Sequence, residues 1–328
     1  MNVDTWFEKN KFKCDSFRDI KNLVKLKKEQ KKTISVVIPT LNEEKSVAKV
    51  ISKVKILQKK KLVDEIIIMD SGSTDRTKEI VKAAGADFYY SKDILKRHKD
   101  IKGKGENLWK SLYVANGDII CWIDADIKNI HSRFVYGLVG PLLTKKKLKF
   151  TKAFYKRPLK VGEKFAPLGG GRVTELTIRP LFNMYFPLLS GFIQPLSGEY
   201  AGKRDLLERI PFFTGYGVET AMLIDIQKKF GLEVCAQVDL KKKIHRNQSL
   251  INLSRMSFGI LGVFAKRANA LGKLILMGKT RKRYRLIEFE DGQYKLKQFN
   301  INDKQRPPMI TINEYRKKFK KDPKWLYS

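Results

Sequence analysis

Three stretches of the chain read as strands covered on both faces: "TISVVIPT" at 33–40, "DEIIIMD" at 64–70 and "DIICWIDAD" at 118–126. A β-branched run without polar alternation is what a strand buried between two layers of helices requires. Helical patterns separate them. "EEKSVAKVISKVKIL" sets Val47, Val50, Ile51 and Val54 at helical spacing. "STDRTKEIVKAAG" stops at Gly85 as a C-cap, and "GENLWKSLYVANG" stops at Asn116 and Gly117, with a short strand "ADFYYS" between those two helices. Strand–helix alternation at this pitch predicts a parallel, Rossmann-like α/β half. Ligands of such sheets sit outside the carboxyl ends of the strands.

The alternation bounds the organisation. Residues 1–32 read as a basic N-terminal arm, helical from Trp6 to Lys32, and 33–150 as the Rossmann-like, ligand-binding half. Past about residue 150 the pattern fails and glycine and proline increase, so 151–249 is expected to form the acceptor side. Residues 250–328 read as C-terminal helices from Leu250 to Met277 and an extended tail with "RPPM", a candidate dimerisation region. No internal repeat is visible.

Charge narrows the function classes. The 328 residues carry 68 Lys and Arg against 34 Asp and Glu, a formal charge of +34. The lysines are spread in short runs such as "KKEQKK", "LTKKKLK" and "LKKKIH", with no aromatic-plus-basic RNA-binding signature and no zinc-finger spacing. They read as solvated faces that can also steer small anions, and nucleic acid is not expected as the main partner. Cys14, Cys121 and Cys235 lack metal or disulfide spacing and read as reduced thiols. No apolar leader opens the chain, and the longest uncharged stretch, "PLFNMYFPLLSGFIQPLSG", is broken by three prolines and two glycines. A cytoplasmic enzyme without membrane insertion is the expectation.

Three predicted strand ends carry polar clusters. "IDAD" closes an apolar strand with Asp124 and Asp126; carboxylates there call for a cation, and Mg²⁺ or Mn²⁺ holding diphosphate oxygens is one answer, a solvated loop cap the other. "PTLNEE" offers Pro39, Thr40, Leu41 and Glu43 to a base and ribose. "DSGSTD" offers Asp70 and Ser71, with Gly72 for close approach. "GKGEN" sets Lys104 between two glycines at a helix start, where cation and dipole favour phosphate. "LGGGRVTEL" at 168–176 is either a tight turn or an anion cradle. The G-x-x-x-x-G-K-[ST] loop is absent, and "GGGRVT" lacks the dinucleotide spacing.

"SVVIPTLNEE", "DSGSTD", "GKGENLW" and "DAD" resemble the nucleotide-sugar half of GT-A glycosyltransferases, an α/β fold with a Rossmann-like mixed sheet flanked by helices and here a C-terminal extension. "GGGRVTEL", "PLSGEYAG", "GYGVE" and "HRN", with an arm starting "WF" and a tail carrying "RPP", resemble the glucosyl-3-phosphoglycerate synthases (glycosyltransferase family 81) from about Trp6 onward. The lysine load is the one departure. The resemblance implies a retaining transfer of glucose from UDP-glucose to the 2-hydroxyl of D-3-phosphoglycerate, assisted by Mg²⁺ or Mn²⁺, in a homodimer. It implies a donor site of Pro39, Thr40, Leu41, Glu43, Asp70, Ser71, Lys104, Asp124, Ala125 and Asp126, with Asp126 and His245 on the metal. Gly171, Arg172, Thr174 and Asn247 would hold the acceptor's phosphate and carboxylate, and Glu219 the glucose hydroxyls. Asp126, Glu219 and Lys104 would serve the chemistry; Tyr216 reads as a core aromatic or a neighbour of Glu219. No residue presents itself as a covalent nucleophile, so a front-face displacement is expected. Rivals are the same acceptor with GDP-mannose or ADP-glucose, another phosphorylated acceptor, and a basic RNA- or membrane-surface-binding protein on an inactive fold. An inverting enzyme acting on a polyprenyl phosphate or polysaccharide would need a general base and a Q-x-x-R-W motif, and neither is found.

Overall fold

The apolar runs pair side by side. In the computed structural model, which describes residues 2–157, 159–161, 164–166, 171–244 and 248–322, β2 (Ile34–Thr40) lies parallel to β3 (Glu65–Asp70) and to β5 (Ile119–Trp122). Both faces of β2 are covered because its residues alternate between two buried cores: Val37 packs with Trp109, Leu112 and Trp122, while Val36 and Ile38 pack with Val50, Ile51 and Val54. The covering helices are α3 (Val47–Lys59), α4 (Thr77–Ala83) and α5 (Lys104–Val114), and β4 (Asp87–Tyr90) closes one edge.

The main sheet has eight strands in the order β1-β11-β6-β9-β5-β2-β3-β4. Strands β6 (Phe150–Lys156) and β11 (Cys235–Lys242) run with the first half, and β9 (Tyr200–Lys203) runs antiparallel between β5 and β6. The sheet is therefore mixed, as a GT-A fold requires. α6 (Arg133–Thr144) covers the second half, and β7 (Leu159–Val161) pairs with β8 (Lys164–Ala166) beyond it. α7 (Arg179–Tyr185), α8 (Arg204–Leu207) and α9 (Val218–Phe230) follow, then α10 (Leu250–Ala270) and α11 (Asn313–Phe319).

The arm differs from its helical reading. α1 (Val3–Lys9) and α2 (Ile20–Glu29) are separated by β1 (Lys11–Lys13), which pairs parallel with β11. Trp6 is fully buried, its indole N–H donating to the Cys235 carbonyl at 2.9 Å, and that anchor takes the chain into the sheet instead of onward along a helix. The C-terminal region also differs. One helix, α10, ends at Ala270, and β12 (Arg283–Glu290) and β13 (Gln293–Asn300) then form a hairpin that the sequence reading left unassigned. Of "RPPM" only Arg306 is in a strand, the two-residue β14 (Gln305–Arg306) antiparallel to β10 (Phe212–Phe213); Met309 opens a 3-10 turn. All three cysteines are buried and free. No helix among the described residues is long and apolar enough to cross a membrane.

Candidate active site

The loops after β2 and β3 are built against each other. Asp70, buried at the end of β3, accepts the Thr40 hydroxyl at 2.9 Å, the Gly72 and Ser73 amides at 2.8 and 2.7 Å, and the Ser73 hydroxyl at 2.6 Å. With four donors on two oxygens, its carboxylate shapes the loop. Ser71 donates its amide to the Thr40 carbonyl at 3.0 Å. The Glu43 carboxylate accepts the Ser46 hydroxyl at 2.6 Å, and its amide donates to Thr77 at 2.9 Å. Burial, with the charges of Asp126 and Asp124 adding to it, pushes the Glu43 carboxyl upward despite the Ser46 bond. Leu41 stands exposed at the tip and Pro39 is half-buried on the strand.

Past the end of β5, Asp124 receives two ammonium groups. Lys104 donates to Oδ1 and Lys243 to Oδ2, each at 2.8 Å. Lys104 also lies 3.2 Å from the Glu219 carboxylate in the first turn of α9. Lys243 reaches Glu199 at 2.5 Å, Glu199 accepts the Tyr155 hydroxyl at 2.6 Å, and Arg157 donates to that hydroxyl at 2.8 Å. Burial alone would raise the Asp124 carboxyl, but the two lysines outweigh it and hold it well below the usual carboxylate range. Lys104 is likewise driven up by Asp124 and Glu219 against the cost of burial. Asp126 goes the other way: burial and the Asp124 charge raise it, and no described side chain forms an ion pair with it. Ala125 packs inward between the two acids.

Three glycines let these groups converge. Gly103 and Gly105 flank Lys104 where α5 starts against β10. A Cβ on Gly105 would overlap the Phe213 carbonyl oxygen and sit 2.9 Å from its carbon, and one on Gly103 would overlap the Thr214 carbonyl. Gly198, in the turn before β9, lies against the ion pair itself: its Cβ would fall 2.6 Å from Lys104 Nζ and from Asp124 Oδ1. Glu106, fully buried one turn into α5, takes a bidentate pair from Arg306 of the "RPP" tail at 2.7 and 2.6 Å. The tail motif therefore braces the helix that carries Lys104.

In the segment expected to meet the acceptor, Gly171 has φ +94°, a conformation that favours glycine, and its carbonyl accepts the Glu175 amide at 3.0 Å. The helix beginning at Arg172 is wound as a π-turn over Thr174–Ile178 before it continues as α7. Such turns recur at functional sites. Arg172 donates to the Gln248 carbonyl at 2.9 Å, and Thr177 shares a 2.8 Å hydrogen bond with Ser257 of α10. Thr174 is buried.

His245 and Asn247 lie outside the described residues; Ile244 is the last described residue before them. Ile244 accepts the Lys128 amide at 2.9 Å and donates to Asn129 at 2.7 Å, so the chain enters "HRN" bonded to the loop just after Asp126. The structure thus joins Lys104, Asp124, Glu219 and the Asp126 loop in one cluster. Tyr216 departs from the core reading: it is 57% exposed on the loop before α9, because Gly215 and Gly217 beside it pack against Asp303 and Val263. Among the described residues no group of three His, Cys, Asp or Glu side chains could hold a metal alone. An Asp126 without an ion pair among the described residues suits a hard cation that also takes phosphate oxygens.

Sequence reading missed Lys243, Glu199, Gly198 and Lys152. Lys243 sits in a lysine run that looks like solvated surface, and its place three residues after Leu240 of β11 was the available signal. Lys152 is fully buried on β6, donates to the Ser197 carbonyl at 2.7 Å and lies 4.1 Å from the centre of the Tyr200 ring; burial lowers it to about 7.

Known proteins share this architecture. The sequence model described as "Glycosyl transferase family 2" matches residues 35–160. The glucosyl-3-phosphoglycerate synthase of Petrotoga mobilis is 51% identical over 318 residues, covering 96% of this chain and 98% of its own. That of Mycolicibacterium smegmatis is 42% identical over 282 residues, 86% of this chain and 90% of its own. Among solved structures, mannosyl-3-phosphoglycerate synthase from Rubrobacter xylanophilus superposes with a TM-score of 0.86 at 35% identity, covering 95% of this chain and 99% of that one. The Mycobacterium tuberculosis glucosyl-3-phosphoglycerate synthase in complex with Mn²⁺, UDP and glucosyl-3-phosphoglycerate gives 0.77 at 39% identity, covering 89% of this chain and 95% of that one. With half of its residues identical to a relative matched along nearly the whole length of both, this chain belongs to the glucosyl-3-phosphoglycerate synthase family of glycosyltransferases.

Proposed function

We propose that the protein transfers glucose from UDP-glucose to the 2-hydroxyl of D-3-phosphoglycerate, retaining the anomeric configuration. The observation that carries this reading is the pair of lysines converging on Asp124 beside an Asp126 with no described ion pair. The relatives with Mn²⁺ and UDP-glucose or with Mg²⁺ and UDP support the donor and the metal. Asp126 and His245 would hold the cation, which when bound offsets charge on the departing diphosphate. Lys104, at the start of α5, would exchange part of its bond to Asp124 for a diphosphate oxygen, where its charge and the helix dipole favour the leaving group. Glu219 would accept hydrogen bonds from the glucose hydroxyls. Pro39, Thr40, Leu41, Glu43, Ser71 and Ala125 would line the nucleotide, with Asp70 shaping the loop behind them.

Gly171, Arg172, Thr174 and Asn247 would receive 3-phosphoglycerate. Bare backbone at Gly171 leaves room for an oxyanion, and the Arg172 guanidinium, held toward Gln248, offers a fork for it. Asp124, Glu199 and Glu219 are engaged by lysines, and Asp126 would be taken up by the cation, which leaves no acid of the cluster as a free nucleophile. A front-face displacement fits, the diphosphate oxygen taking the acceptor's proton. The test is product formation by mass spectrometry with UDP-glucose, GDP-mannose or ADP-glucose, 3-phosphoglycerate and Mn²⁺. A metal-dependent phosphorylated glucosylglycerate, lost in Arg172→Ala, supports the reading. Donor hydrolysis indifferent to 3-phosphoglycerate overturns the acceptor. The likeness to a mannosyl-3-phosphoglycerate synthase favours GDP-mannose as the second donor to try.

The reading includes a homodimer. One face of the β12–β13 hairpin carries Ile287, Phe289, Tyr294 and Leu296, all at least 64% exposed, while its other face is laced by Lys295 and Lys297 with Glu288 and Glu290. Four large apolar side chains grouped on one strand face fit a second copy better than water. Sedimentation should give a dimer that Ile287→Ser/Phe289→Ser dissociates; a wild-type monomer refutes it.

A further inference from the structure

Lysine is among the residues least often buried, and a buried ammonium normally answers a carboxylate at ion-pair distance. Lys152 does not. Among the described residues its Nζ has one hydrogen-bond acceptor, the Ser197 carbonyl at 2.7 Å, and one ring, Tyr200, at 4.1 Å. It stands in register with Tyr200 across the β6–β9 pair. The hydroxyls of Ser197, Tyr200 and Thr220, all buried, have no partner among the described residues. Two of them adjoin site residues in sequence: Ser197 precedes the Gly198 that abuts Lys104 and Asp124, and Thr220 follows Glu219. The charged groups that act on Lys152 are Glu219 on α9, Lys104 on α5, Glu199 before β9 and Asp124 after β5, Glu219 the strongest. Glu219 is likewise the charge that acts most on the Tyr200 hydroxyl.

We infer that Lys152 is a positioning residue for sugar transfer, setting the Ser197–Tyr200 segment and, through it, the Glu219 carboxylate that meets the hexose; the inference rests on the proposed role of Glu219. Through its bond to Ser197 it fixes how closely Gly198 approaches the Lys104–Asp124 pair. Gly198 in turn abuts Lys104, whose ammonium lies 3.2 Å from the Glu219 carboxylate. Lys152 touches no reacting atom, so its effect falls on orientation of the sugar and not on capture of the nucleotide.

The test is a double-mutant cycle with Lys152→Met and Glu219→Gln, reading kcat/KM for UDP-glucose by transfer and UDP affinity with Mn²⁺ by calorimetry. In Lys152→Met, kcat/KM should fall by roughly tenfold or more while UDP affinity stays within about twofold. In the Glu219→Gln background the same substitution should cost less than about threefold, because both changes remove one function. Independent, multiplying effects overturn the inference, and so does a parallel loss of UDP affinity, the mark of a merely structural lysine. If Lys152→Met fails to fold, Tyr200→Leu, which removes the ring beside the ammonium, takes its place in the cycle with the same expectations. A wild-type protein that transfers no hexose from any nucleotide sugar sinks the reading itself, whereas a Lys152→Met protein with wild-type kcat/KM sinks only this inference.

Discussion

Gly105→Ala tests whether the geometry around Lys104 is as tight as it looks. A methyl at this position would sit 2.9 Å from the Phe213 carbonyl carbon and 3.0 Å from Val218 Cβ, and would overlap the carbonyl oxygen. The Phe213 carbonyl is backbone of β10, itself paired with β14, so it cannot rotate aside. The start of α5 must retreat by roughly 1 Å to regain ordinary contact distances. Overpacking of that size costs about 1–3 kcal/mol of stability. The larger effect is on turnover. Lys104, the adjacent residue, would lose its 2.8 Å contact with Asp124, and a displacement of about 1 Å at a reacting centre can cost roughly 100-fold in rate. The assay is kcat/KM for UDP-glucose at fixed 3-phosphoglycerate, beside a thermal melt. A Gly105→Ala enzyme within about threefold of wild type would refute the argument, because the helix start would then have room that the structure denies it.

Arg306→Met should destabilise the fold by about 3 kcal/mol, since it strips the bidentate partner from a Glu106 that keeps only Lys110, at 3.3 Å; a denaturant midpoint unchanged from wild type would contradict it. Asp126→Asn should weaken Mn²⁺ binding in the presence of UDP by roughly tenfold or more, read from the electron paramagnetic resonance signal of free Mn²⁺, and unaltered binding would take Asp126 off the metal. For Lys152 the sign is set by burial, which lowers the folded-state value to about 7 while the unfolded chain keeps about 10.4. Between those values the unfolded chain binds a proton that the folded one does not, so wild-type stability should rise with pH by up to ~1.4 kcal/mol per unit. The stability advantage of Lys152→Met should therefore be largest at pH 7 or below and shrink toward pH 10; a gap that does not change with pH refutes the burial account.

Most of the donor half was legible because its signals are local. The runs that became β2, β3 and β5 are continuous and β-branched, and their strand ends carry Thr40, Asp70 and Asp124. What local pattern could not convey is where a charged side chain goes. Asp70 looked like a contact for the base or the diphosphate; in the structure its oxygens also accept four hydrogen bonds, from Thr40 and from its own loop. Lys104 looked like a phosphate cation and is one half of a buried network whose other half, Lys243, is 139 residues later in a run that reads as surface. The β12–β13 hairpin was missed although its signal is present: "YRLIEFEDGQYKLKQF" alternates apolar and charged residues around an Asp-Gly turn, with Gly292 at φ +76°. The arm was misread for the opposite reason: a basic, helix-prone composition hid the short β1, which is specified by Trp6 reaching Cys235 across 229 residues.

The brace between Glu106 and Arg306 joins residues 200 apart, and the Trp109 indole reaches the Pro307 carbonyl 198 residues on. Read in the order in which a ribosome delivers the chain, the helix that presents Lys104 is made early and secured late. At roughly 5–20 residues per second, it waits on the order of 10 s or longer for the segment that pins it. Until then Glu106 has no guanidinium and the Gly103–Gly105 turn no β14 behind its strand. A product terminated before Arg306 therefore carries Lys104, Glu106 and Asp124 and lacks the stitch that sets the helix bearing two of them.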